Sequence, residues 1–203
     1  MKKLDIDRNY MEIIENVPDN LAEYQYYLGL QERKLYFNDE VDLGIINKAV
    51  YWIMRWNEED EKNNIPLDQR QEITLYITSN GGCVISGLAL VDAIQQSKTK
   101  VTTVGIGVCA SMGAILLISG HERKAFRHTT VLFHDGSFAV QSSAKKAKQT
   151  VKYYERLDEK IKALVLEKTN VSEELYDEKE DEEWYLFADP QCIDLGVVDS
   201  IVE

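Results

Sequence analysis

The sequence predicts an α/β protein built on a largely parallel sheet, and two stretches carry that expectation. Val101–Gly120, VTTVGIGVCASMGAILLISG, opens with the β-branched run Val101 to Val104, which suits a buried strand. It crosses a small-residue turn, Gly105 to Ala110, and enters an apolar helix pattern, Met112 to Ile118, stopped by Gly120. Ile73–Ser97 repeats this order. Leu75 and Ile77 alternate with Tyr76 and Thr78, Ser79-Asn80-Gly81-Gly82 makes a turn, and a helix follows from Val84. Strands alternating with helices in this way belong to parallel sheets.

The remaining elements follow in chain order. Residues 1–30 are tyrosine-rich (Tyr10, Tyr24, Tyr26, Tyr27) and read as an irregular segment that wraps the domain or packs on a neighbour. Residues 31–203 read as one domain. Lys34–Phe37 reads as a short strand. Val41–Trp56 reads as a helix, with apolar Val41, Ile45, Ile46, Ala49, Val50, Ile53 and Met54 near 3.6 spacing. Asn57–Gln71, NEEDEKNNIPLDQRQ, reads as a charged, exposed loop. Arg123–Phe126 and Thr130–His134 read as two more strands.

Ser143–Lys168 is an amphipathic helix whose apolar stripe is Ala147, Val151, Tyr154, Ile161, Leu164 and Val165. At about 39 Å it is longer than a small domain needs, so it is expected to protrude and meet another subunit. Ser172–Glu183 is strongly acidic and helical in pattern. Asp189-Pro190 reads as a helix N-cap and first position, Gly196 as a stop, and Val197–Val202 as the last strand.

The formal net charge of -12 argues against nucleic acid or an acidic membrane as a partner held by bulk charge. No apolar run has membrane-spanning length, and Met1-Lys2-Lys3 leads into Asp5, Ile6 and Asp7 with no signal-peptide pattern. Cys83, Cys109 and Cys192 show no CxxC pairing. They read as reduced cysteines of a cytoplasmic protein, not as a disulfide frame or a metal site.

Three chemistries compete for the junction at Ser111. Gly105-Ile106-Gly107-Val108-Cys109-Ala110 fits the dinucleotide pattern GxGxxA. The ribose-binding acid of that pattern should end the next strand, yet Glu122 directly follows the helix stop and Asp135 comes late. A nucleophile elbow, GxSxG, would need a glycine where Cys109 stands. The third reading is a serine nucleophile with a differently ordered triad. It needs a base, an acid that orients the base, and N–H donors for an oxyanion. Ser111 sits where a helix exposes its first N–H groups, although such a serine is also a natural N-cap. His121 follows a helix stop and His128 lies in a polar turn, whereas His134 ends the apolar strand Val131-Leu132-Phe133. Gly81-Gly82 ends a separate strand and can bring backbone N–H groups to the same rim.

Four segments in order make the chain resemble the ClpP family, the proteolytic subunit of the ATP-dependent Clp protease. They are Tyr76–Ile94 (YITSNGGCVISGLALVDAI), Gly107–Gly120 (GVCASMGAILLISG), Val131–His134 (VLFH) and Gly196–Val202 (GVVDSIV). The resemblance spans about Glu32 to Glu203. It implies a crotonase-like β-α superhelix with a protruding handle helix, here about residues 143–168. It implies Ser111 as nucleophile, His134 as general base, and the Gly82 and Met112 N–H groups as oxyanion hole. The family's aspartate, just before its FLSA segment, falls at Glu183, ahead of Trp184-Tyr185-Leu186-Phe187-Ala188. Asp181 and Glu180 are the neighbouring acids.

The same resemblance implies polypeptide substrates, a heptameric ring that stacks on a second ring, an AAA+ unfoldase partner, and no metal or organic cofactor. Several positions depart from the family pattern. Asn80 replaces the proline of SPGG, Asp135-Gly136 follows the histidine, and Gln96 stands at an aromatic docking position. Glu182 replaces the arginine that pairs between rings, inside an acid run from Glu180 to Glu183. A non-catalytic ring subunit and an unfoldase-independent, phage-type maturation peptidase are the alternative functions.

Overall fold

The computed structural model describes residues 21–202, and the expectation for residues 1–20 lies outside them. Helix α1, Leu21–Gln31, replaces the irregular chain expected up to residue 30. Trp52 Nε1 donates to the Tyr26 hydroxyl at 2.6 Å, so this segment packs on the next helix of its own chain.

The sheet is mostly parallel. Strands β1 (Lys34–Phe37), β2 (Ile73–Ser79), β3 (Val101–Ala110), β4 (Glu122–Ala125) and β7 (Ser200–Ile201) lie in the spatial order β1-β2-β3-β4-β7. Strand β5 (Thr130–Phe133) also pairs with β3, and β6 (Trp184–Phe187) closes on β5 as the antiparallel pair. Helices α3 (Val84–Gln96) and α4 (Met112–Ile118) follow β2 and β3, as the repeated strand-turn-helix pattern predicts.

Strand β3 is longer than expected. Gly105 to Ala110 is strand, not turn. Thr102–Gly105 pairs with β4, and Val108–Ala110 then pairs with β5. Between the two ladders Gly107 takes φ 67, a conformation that costs a side-chain-bearing residue but not glycine. The small residues are therefore needed for a bend inside a strand, which alternation alone does not reveal.

Three further expectations are corrected. The charged stretch Asn57–Gln71 is not a loop throughout. A short π-helix at Ile46–Val50 leads into α2, Tyr51–Lys62, which carries the first half of that stretch. Asp60, on its inner face, is fully buried and accepts from both terminal nitrogens of Arg33 at 2.7 Å and from the Thr99 hydroxyl at 2.8 Å. A charged residue with partners far away in sequence looks like surface to any pattern count. At the C-terminal end, Asp189 is not a cap; its carboxylate takes Arg127 Nη1 at 2.5 Å, and the last strand shrinks to Ser200–Ile201.

The amphipathic helix forms as α5, Ala144–Lys168, with only Leu157, Leu164 and Val165 buried. Helix α6, Glu173–Lys179, is capped by Ser172, whose hydroxyl accepts the Leu175 N–H at 3.2 Å. No helix of the described residues is long and apolar enough to cross a membrane.

The Arg33–Asp60 pair yields a stability prediction. Burial pushes the Asp60 carboxyl up, but the Arg33 and Thr99 hydrogen bonds outweigh burial and hold it below its ordinary 3.8. Its contribution is present above the unfolded pKa and is lost as pH falls through the lower folded value. Asp60→Ala strands the buried guanidinium and is expected to cost about 3–5 kcal/mol. Urea unfolding at one fixed protein concentration, at neutral pH and again near pH 3, checks both statements. The gap between wild type and variant should narrow in acid.

Candidate active site

Ser111 sits between the end of β3 and the start of α4. Its N–H donates to the Leu132 carbonyl at 2.9 Å, which extends the β3–β5 pairing by one more bond. Its backbone takes φ 54 and ψ -125, a conformation rare for a residue with a side chain and worth about 1–3 kcal/mol of strain. The hydroxyl caps no helix N–H. The N-cap role open to such a serine is therefore not taken, and the side chain is left to the cavity beside it. All seven residues of α4 are buried, so the helix that begins at Met112 is fixed by packing on every side.

The Gly81-Gly82 turn reaches this junction from β2. A Cβ on Gly81 would lie 2.6 Å from Ser111 Cβ and 3.1 Å from the Met112 nitrogen, so only glycine lets the turn approach so closely. Gly82 forms a parallel bridge with Val41. The bridge is made by Val41 N–H to the Gly81 carbonyl at 2.8 Å and Cys83 N–H to the Val41 carbonyl at 2.7 Å. These bonds leave the Gly82 N–H out of the bridge, just as the Met112 N–H, first in its helix, has no partner within the helix. Gly81 contacts Ser111 more directly than Gly82 does, a distinction that a sequence of two adjacent glycines does not carry.

His134 and Glu183 are brought together by strand register. Thr130 pairs with Phe187 and Phe133 with Trp184 in the antiparallel β5–β6 ladder. One step further, His134 stands opposite Glu183, and directly opposed residues share a face. His134 Nδ1 lies 3.0 Å from Glu183 Oε1. The Phe133 and Trp184 rings, 6.0 Å apart, pack immediately before this pair. The Asp135 N–H donates to the Glu180 carbonyl at 3.2 Å and carries the pairing past it. With Nδ1–H given to the carboxylate, Nε2 is the ring nitrogen free to accept a proton.

Ser111, Met112 and His134 line one cavity, together with Ile115, Ile161 and Trp184. No hydrogen bond joins Ser111 Oγ to His134 in this state; such bonds often tighten only when substrate is bound. The other histidine with a firm role is His121. Its Nδ1 accepts the Val101 N–H at 2.9 Å, and burial, with Lys168 and Lys100 nearby, lowers its pKa. It ties the start of β3 to the turn after α4, away from the cavity. Cys109 and Cys192 are buried, and burial pushes both thiols up to about 12. Cys83 is exposed, and hydrogen bonds from Ser86 lower its thiol.

The acid run from Glu180 to Glu183 does not form one charged face. Glu183 meets His134, Glu182 Oε2 takes Lys179 Nζ at 3.1 Å, and Glu180 and Asp181 line the cavity.

Comparison with known proteins places the chain in a family. Residues 20–203 match the family model described as Clp protease. The chain belongs to the Clp protease family. It is 31% identical over 191 residues to the ATP-dependent Clp protease proteolytic subunit 2 of Bifidobacterium longum, covering 93% of this chain and 87% of that protein. It is 29% identical to the subunit of the same name in Corynebacterium diphtheriae, covering 91% and 89%. The ATP-dependent Clp protease proteolytic subunit of Dehalococcoides mccartyi is 27% identical, covering 88% and 86%. In this Clp protease family member the serine stands on a strained junction and the histidine holds a glutamate.

Gly81→Ala tests how tightly the turn is fitted. The added Cβ meets Ser111 Cβ and the Ala110 carbonyl, 2.8 Å away, at a φ of 99. Relief requires the Ser111 junction to shift. Thermal denaturation should show a destabilisation of about 1–3 kcal/mol.

Proposed function

We propose that this chain is a serine endopeptidase that works inside a ring of identical subunits. The observation that carries the reading is the 3.0 Å contact between His134 Nδ1 and Glu183 Oε1, beside an uncapped Ser111 in the same cavity. In this reading Ser111 Oγ attacks the carbonyl carbon of the scissile peptide while its proton passes to His134 Nε2. The Gly82 and Met112 N–H groups receive the oxyanion. Collapse of the tetrahedral species breaks the C–N bond, and the proton on His134 goes to the leaving amine. Water, deprotonated by His134, then releases the acyl group and restores Ser111.

Glu183 orients the imidazole and balances its charge. The longer glutamate serves where the family pattern has aspartate because the antiparallel register already sets its Cα opposite His134. Polypeptides are the substrates, and the chemistry uses no metal or organic cofactor. The assembly is a heptameric ring, stacked in pairs and cytoplasmic, with an AAA+ unfoldase as the partner that supplies substrate. Support for assembly comes from exposed aromatic residues in regular elements, among them Tyr153 on α5 and Tyr185 and Phe187 on β6. Side chains of this kind commonly mark contact surfaces.

Ser111→Ala is expected to abolish fluorophosphonate labelling and to lower peptide hydrolysis by at least about 10³-fold, with the particle size unchanged. Glu183→Gln should lower kcat/KM by about 10²–10⁴-fold. Wild-type protein that is never labelled would favour the non-catalytic ring subunit.

Light scattering on wild-type protein tests the assembly separately. An oligomer at micromolar concentration is expected, and a stable monomer there would remove the ring from the proposal.

A further inference from the structure

The cavity that opens at Ser111 and His134 has an apolar interior and an acidic rim. It encloses about 180 Å³. One water occupies about 30 Å³ of liquid, so the space suits a side chain rather than a single solvent molecule. Val84, Ile115, Ile161, Val165 and Trp184 supply apolar wall, with Ile115 and Val165 fully buried.

The rim carries Asp135, Asp158, Glu180 and Asp181, drawn from three separate segments. Among the described residues none of these carboxylates has an ion-pair partner. Lys179 also lines the cavity, but its ammonium is held by Glu178 at 3.2 Å and Glu182 at 3.1 Å. Among the described residues the rim is therefore anionic, with no ion pair to its four carboxylates.

We propose that this cavity receives the side chain on the acyl side of the scissile bond and selects lysine or arginine there. The inference rests on the peptidase reading of Ser111 and His134.

The two-part lining is the argument. A lysine or arginine side chain has a methylene stem and a charged head, and such chains lay the stem on apolar surface while the head stays at its edge. Here Ile161 and Val165 offer the surface, and the rim offers acceptors for every N–H of the head. Leucine would cover the walls equally well but would leave the rim carboxylates without a cation. Glutamate would add a fifth. The carboxylates already disturb one another: burial, and then the charge of Asp135, push the Asp158 carboxyl above its ordinary 3.8. Tyr176, on the same wall, does not add a negative charge. Burial, with Glu180 and Asp158 nearby, pushes its phenol up to about 12, so its O–H stays a donor.

The test uses peptidyl diphenyl phosphonates that differ only at this side chain, being lysine, norleucine or glutamate. Norleucine keeps the lysine stem and lacks the ammonium. Modification of Ser111 in the assembled protein is followed by intact mass. The lysine reagent should react about tenfold faster than norleucine, the scale of a partly shielded charge contact, and glutamate should be slowest. In the double variant Asp158→Asn, Glu180→Gln the lysine-to-norleucine ratio should fall towards one. A wild-type ratio of one or below overturns the inference, as does a ratio the double variant leaves unchanged. The wild-type ratio decides alone if the variant does not fold. A small fluorophosphonate without a side chain runs in parallel. Labelling by it, with norleucine preferred to lysine, removes this inference and keeps the peptidase. No labelling by any reagent removes both.

Discussion

The double pairing of β3 is the constraint on which the rest of the molecule depends. One ten-residue strand bonds β4 along its first half and β5 along its second, with Gly107 bending it between them. Because β5 is held by the far half, its end emerges beside the end of β3. Ser111 and His134 are then neighbours in space through sheet hydrogen bonds alone. A side chain at position 107 would resist the required φ, and the two halves could not serve different partners.

Packing then turns this placement into rigidity. Helix α4 is buried on all sides, so the strain at Ser111 cannot relax by moving the helix. Gly87 of α3 packs against the Met112 side chain, whose Cε would have to move aside for an added Cβ, so α3 and α4 approach closely here. On the other flank, β6 is fastened to β5 by four paired residues and the Phe133–Trp184 contact. The serine is held between β3 and α4 and the histidine–glutamate pair by β5 and β6 of the same sheet, and Ser111 and His134 both line the cavity.

Much of this was legible in the sequence because it is local. The apolar run after Ser111, the stripe on α5 and the strand ending at His134 all follow from periodicity. The motif order singled out His134 and Glu183, which the structure brings within 3.0 Å of each other. What was not legible is long-range. Asp60 sits in a run of charges and reads as surface, yet Arg33, 27 positions earlier, draws it into the core. Gly105 to Ala110 reads as a turn because small residues usually mark one, and only the two ladders reveal a bent strand. The cavity's acidic rim was hidden in the same way. Its carboxylates come from positions 135, 158, 180 and 181, which no window joins.

The run Glu180 to Glu183 has a consequence for how the sequence can drift. In an antiparallel ladder, a slip of one residue exchanges the inward side chain for its neighbour. Most catalytic constellations lose their acid at once under such a slip. Here a single deletion before Trp184 would bring Glu182 opposite His134, and a double deletion would bring Asp181. Each frame still presents a carboxylate to the imidazole. The same slip would draw charge away from the rim of the cavity. Length changes in this short connection would therefore alter the charge at the cavity sooner than they would take a carboxylate away from His134.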